Sequence, residues 1–118
     1  MANLADHELA PFRRSWSVVA SATAADATAT KAGVPGHRHF LVTVDASYSG
    51  SSTSGLLTVR FGTTVVAQKT IHGAGAFDFT YKGLAAGIGE DISATLAAGG
   101  TGVTGHVTIS GFSVPEAV

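Results

Sequence analysis

HRHFLVTVDASYS, residues 37–49, is the stretch that decides the fold. Phe40, Val42, Val44, Ala46 and Tyr48 fall on one side of an extended chain. His39, Leu41, Thr43, Asp45 and Ser47 fall on the other. Successive side chains of a strand point to opposite faces, so a period of two marks a strand that buries one of them. The alternation recurs on both sides of this segment. Leu57, Val59 and Phe61 share a face, and Gly62-Thr63-Thr64 reads as a tight connection into Val65 to His72, a β-hairpin. Phe77, Phe79 and Tyr81 alternate with Asp78, Thr80 and Lys82. Ile92, Ala94 and Leu96 alternate with Ser93, Thr95 and Ala97, and Val107 and Ile109 with His106, Thr108 and Ser110. Toward the start, Trp16 and Val18 open a further strand, and Ala27 to Lys31 gives a short one.

These segments make about eight strands at spacings of roughly 8–12 residues, with no window that holds a helical stripe. Turns rich in Gly and Ser separate them: Ser49 to Gly55, His72 to Gly75, Gly83 to Gly89, and Gly99 to Gly102. The pattern predicts an all-β chain, an antiparallel β-sandwich of the eight-stranded jelly-roll kind, with a short N-terminal arm. The expected divisions are an arm over 1–14, the β-sandwich over 15–113 and a tail over 114–118 broken by Pro115. Val65 to His72 fits least well, because Lys69 shares a face with Val65, Ala67 and Ile71; a lysine at a sheet edge can still reach water. Past Gly111 the apolar positions move to Phe112 and Val114, which predicts a bulge or a change of sheet at that glycine.

Composition removes several classes of function. The 118 residues suit one domain, large enough to fold on its own core. With no cysteine there is no disulfide framework, zinc ribbon or thiol nucleophile. A net charge of −1 without a basic block argues against nucleic acid as the partner, since that affinity rests on neutralising phosphates. Charged residues are 13%, against roughly 25% in an ordinary soluble domain, which suggests surface covered by other subunits. No apolar run approaches the ~20 residues a membrane helix needs. The segment MANLADHELAPFRR carries Asp6 and Glu8 and has no apolar core of a secretory signal, so the chain is expected to be made in a cytoplasm.

The chemical motifs are thin. Gly100-Thr101-Gly102-Val103-Thr104-Gly105 has the letters of a dinucleotide fingerprint, but a strand follows it where a helix is required, so it reads as a turn. His37 and His39, two apart in a strand, point the same way and could hold a metal with His106 or Asp45; the pair alone is an incomplete ligand set, and exposed or subunit-facing histidines are the plainer reading. Glu90-Asp91 is the only adjacent acidic pair and suits a turn. There is no Gly-x-Ser-x-Gly elbow and no ordered Ser–His–Asp set. The expectation is therefore no enzyme, no cofactor and no metal. Arg13-Arg14-Ser15-Trp16 is the densest basic and aromatic cluster, of the types that anchor interfaces, although Trp16 shares a face with Val18 and so also reads as core.

The run GLLTVRFGTTVVAQKTIHGAGAFDFTYKGLAAGIGEDISATLAAGGTGVTGHVTISGF, residues 55–112, resembles small β-sandwich virion proteins of tailed bacteriophages. The likeness lies in the GTTV turn at Gly62 to Val65, the FDF strand at Phe77 to Phe79 and the glycine-rich turn over Leu96 to Gly105, and it extends over roughly Trp16 to Phe112. It implies a capsid decoration (cement) protein on the virion exterior that binds the major capsid protein, bridges neighbouring capsomers and forms a homo-oligomer, a trimer ahead of a dimer. Phe12, Arg13 and Arg14 are the expected partner-binding residues. The alternative is a receptor- or carbohydrate-binding β-sandwich module of a phage fibre, spike or tail.

Overall fold

Eight strands follow one another: β1 (Arg14–Thr23), β2 (Ala27–Lys31), β3 (His37–Tyr48), β4 (Ser54–Phe61), β5 (Thr64–His72), β6 (Ala76–Ile88), β7 (Ile92–Leu96) and β8 (Thr104–Pro115). The computed structural model describes residues 14–49, 54–72 and 76–115. β1 thus begins one residue ahead of the expected body, and β8 runs on through Val114 and Pro115 of the expected tail.

The pairing is nested. β4 pairs with β5, β3 with β6, β2 with β7 and β1 with β8, all antiparallel. Successive pairs fall into alternate sheets. Lateral contacts of β3 with β8 and of β4 with β7 complete two four-stranded sheets of order β1-β8-β3-β6 and β2-β7-β4-β5. This is a long antiparallel ribbon rolled up on itself, the eight-stranded jelly roll expected from the spacing of the strands. The innermost turn, Gly62-Thr63, is a two-residue hairpin loop whose Gly62 has φ +61°, where a type II′ turn places glycine.

The core lies between the sheets. Leu41, Val44, Leu57, Val59, Ile92, Leu96, Val107 and Ile109 are wholly buried. Each contributes about 1.5–3 kcal/mol relative to an exposed position. β2 and β7 alternate as their sequences predict, with Ala27, Ala29, Ile92, Ala94 and Leu96 inward. β5 is an edge strand, and nearly all of it except Ile71 is open, so Lys69 reaches solvent as its place on an edge allows.

Three local expectations are corrected. The phase of β3 is broken: Leu41 lies opposite Gly111 of β8 but Thr43 lies opposite Ser110, which leaves Val42 as an extra residue. The bulge carries His39 and Leu41 to the same side as Val44, Ala46 and Tyr48, so His39 is buried rather than exposed. β8 itself keeps one phase through Gly105, Val107, Ile109 and Ser113, with Phe112 on the opposite face, so the irregularity sits across from Gly111 and not in its own strand. Gly111 is the accommodation. A Cβ there would lie 1.9 Å from the Phe40 carbonyl oxygen and 2.9 Å from Cζ2 of Trp16. Finally, Gly83 to Ile88 belongs to β6 and only Gly89 to Asp91 turns, because the ladder with β3 supplies backbone partners to this glycine- and alanine-rich segment.

Candidate functional site

The β3 bulge builds a polar end into an otherwise apolar sandwich. Arg14 of β1, Ser113 of β8 and His39 of β3 stand in one row across three strands, and the next inward row is Trp16, Gly111 and Leu41. The end of β2 brings Lys31 from the opposite sheet, and the β2–β3 connection adds Val34 and leads into His37. Together these residues line a cleft of about 270 Å³ that opens at this end of the roll.

His39, 1% exposed, has both ring nitrogens engaged. The carbonyl of Ala32 can only accept, so Nε2 carries a proton and donates to it at 2.8 Å. In the neutral ring Nδ1 then accepts from the Ser113 hydroxyl at 2.5 Å. Donation to His39 leaves the Ser113 oxygen only its acceptor side for anything else. His37 is fixed in a similar way, its Nδ1–H donating to the Pro35 carbonyl at 3.1 Å.

Trp16 is partly buried, packs on the core and meets His39 edge to face at 6.0 Å between ring centroids. Lys31 Nζ stands 5.9 Å from the Trp16 ring, within cation–π range. The indole Nε1 is buried without a hydrogen-bond partner among the described residues. The sequence left Trp16 between core and interface; in the fold it packs against the core and also lines the cleft.

Other residues singled out by sequence lie elsewhere. His106 and Asp45 are exposed at outward positions of β8 and β3, opposite Ser47 and Thr108, away from His37 and His39. Among the described residues no group of three His, Cys, Asp or Glu side chains gathers. Glu90 accepts from the Gly87 N–H at 2.9 Å and Asp91 from the Gly33 N–H at 2.5 Å, so the acidic pair organises the two loops beside β7. Gly100 and Gly102, with φ of +119° and +73°, form the turn ahead of β8. Of the expected partner-binding residues, Phe12 and Arg13 lie outside the described residues, and Arg14 is an exposed residue on the rim of the cleft. At the far end of the roll, Tyr48 donates to the Ala97 carbonyl at 2.6 Å; burial first, and the charge of Asp26 second, push its phenol above the ordinary value of 10.0.

Sequence reasoning missed Ser113, Lys31 and Val34 as cleft residues. Only the glycine at 111 signalled that something approached the backbone there.

No protein-family model and no curated protein matches the chain. Solved structures of similar shape include the carbohydrate-binding module CBM36 in complex with calcium and xylotriose (14% identity over 80% of this chain and 77% of that one, TM-score 0.43). Another is the CBM32 of AlyQ in complex with 4,5-unsaturated mannuronic acid (17% identity, 75% and 74% covered, TM-score 0.47). A third is a protein of the disulfide-linked pili of Bacillus endospore appendages (14% identity, 89% and 88% covered, TM-score 0.45). At that distance they say nothing of what this chain binds.

Proposed function

We propose that the chain is a non-catalytic recognition module that receives a sugar residue in the cleft at the β1/β3/β8 end. The observation that carries this reading is Trp16. An aromatic ring forms one wall of a small concave site whose other walls are hydroxyl, imidazole and cationic groups, all held on strands. Sugars are bound by this combination, apolar ring face against aromatic face and hydroxyls against fixed polar groups. The resemblance of residues 55–112 to virion proteins supports reading the module as the receptor- or carbohydrate-binding part of a phage fibre, spike or tail.

The test is a glycan array followed by calorimetric titration of the full chain, a readout that does not depend on Trp16, the sole tryptophan. Saturable binding that is lost in Trp16→Ala supports the proposal. Binding to no glycan, or binding unchanged in that variant, overturns it. The Ser113–His39 hydrogen bond has the outline of a nucleophile and its base, so the non-catalytic half is tested separately: covalent labelling of Ser113 by a fluorophosphonate would refute it.

A second reading, capsid decoration, is favoured by the sheet edges. β1 and β5 are both edge strands and carry exposed apolar side chains, Val19 at 69% and Val65 at 46%. Copies packed edge to edge, as a trimer on the major capsid protein, would cover them. Co-sedimentation of the chain with undecorated shells tests this, and failure to pellet at high excess counts against it.

A further inference from the structure

We infer that the sugar taken by the cleft carries an anionic group, a carboxylate or a sulfate; this rests on the sugar-binding reading and narrows it. Two permanent cations face the site from opposite sheets, Arg14 from β1 and Lys31 from β2. Among the described residues lining the cleft there is no carboxylate. Neither cation has a carboxylate partner among the described residues; Lys31 is engaged only with the Trp16 ring. Asp91 lies outside the cleft lining, where its Oδ1 accepts from the Gly33 N–H of the neighbouring loop. The chain as a whole is at −1, so the positive lining seen among the described residues is a local arrangement and not a general excess.

The neutral groups point the same way. In the neutral ring His39 donates its Nε2–H to Ala32 and its Nδ1 accepts a hydrogen bond from the Ser113 hydroxyl, so the Ser113 oxygen keeps only acceptor capacity for a ligand. His37 spends its Nδ1–H on Pro35. Trp16 Nε1–H and the Ser15 hydroxyl are neutral donors in the lining; the charged donors are the guanidinium and the ammonium, and these are matched best by anionic oxygen. Lys31 Nζ lies over the Trp16 ring, 5.9 Å from its centroid, so an anionic substituent on a sugar set against that ring would meet the ammonium.

The experiment compares acidic glycans with uncharged counterparts on the full chain: a galacturonic acid trimer against its methyl ester, sialyllactose against lactose, and a sulfated galactan against its desulfated form. The expected result is binding to at least one acidic member, about tenfold weaker or worse for its neutral counterpart, weakening as NaCl rises from about 50 to 300 mM. The carboxylate and sulfate arms identify which anion is read. Arg14→Gln and Lys31→Gln should each weaken binding about tenfold, while Lys31→Arg keeps it; circular dichroism confirms that the variants are folded. Neutral glycans that bind as tightly as acidic ones, or charge variants that bind within twofold of the parent, overturn the anionic assignment and leave the sugar reading standing. Silence from every glycan on the array overturns both.

Discussion

Removing the Ser113 hydroxyl isolates the energetic role of the buried polar pair. Ser113→Ala deletes the donor to His39 Nδ1 while the ring stays in place, 1% exposed and anchored through Nε2 to Ala32. The unfolded chain loses nothing, because water serves both groups there. In the folded chain Nδ1 becomes an acceptor without a donor, a loss of about 1–3 kcal/mol for a buried polar group. For a domain of this length that lowers the melting temperature by about 4–12 °C. His39→Leu costs the Ala32 contact as well, but the double variant His39→Leu/Ser113→Ala leaves neither partner stranded. It is therefore expected to be milder than the sum of the singles by about 1 kcal/mol or more. Urea unfolding followed by Trp16 fluorescence and circular dichroism measures all three. A melting point for Ser113→Ala within about 1 °C of the parent, with strict additivity in the cycle, would refute the claim that this pair is formed and shielded from water.

Other perturbations test the rest of the architecture. Gly111→Ala places a methyl 1.9 Å from the Phe40 carbonyl, so the β3–β8 ladder must part; a loss of about 3 kcal/mol or more is expected in urea unfolding, and a loss below about 1 kcal/mol would deny the bulge. Leu96→Ala, at a wholly buried position, should cost about 2–5 kcal/mol, whereas Val19→Ser, 69% exposed, should stay within about 0.5 kcal/mol; similar values for the two would contradict the assignment of faces. Tyr48 contributes to the alkaline behaviour. Its ionisation is raised in the folded chain, so its contribution is fully present below about pH 10 and is lost as pH rises through the higher folded value. Tyr48→Phe should flatten that alkaline fall in stability, and in a Tyr81→Phe background the remaining phenol should titrate above 10.0 by ultraviolet absorbance.

Where the residues obey one physical rule along a whole segment, sequence was sufficient. β2 and β7 alternate cleanly from end to end, and their limits and faces were legible. β3 shows why the rest was not. Val42 is apolar and prolongs the apparent alternation, so nothing in the run itself betrays the inserted residue; the clue stands 69 positions away at Gly111, whose missing Cβ admits the Phe40 carbonyl. That single slip conceals the cleft, since it decides whether His39 faces water or Ser113. Gly83 to Ile88 was read as a loop because its side chains give no stripe, yet backbone pairing with β3 holds it in a strand. The cleft residues themselves come from four strands and a connection that are remote in sequence, and only the nested order of the roll brings them to one end.

The pairing of Arg14 with Ser113 also decides how such a module can be tethered. Arg14 and Pro115, the outermost described residues of β1 and β8, both lie at the cleft end of the roll, opposite Ser113 and His37. The turn at Thr101-Gly102 lies at the far end, near Thr23 and Ser49, and among the described residues no atom comes within 4 Å of a Cβ placed at Gly102. A circular permutant opened at that turn, with its original ends bridged, would hang from the opposite pole and present the cleft outward.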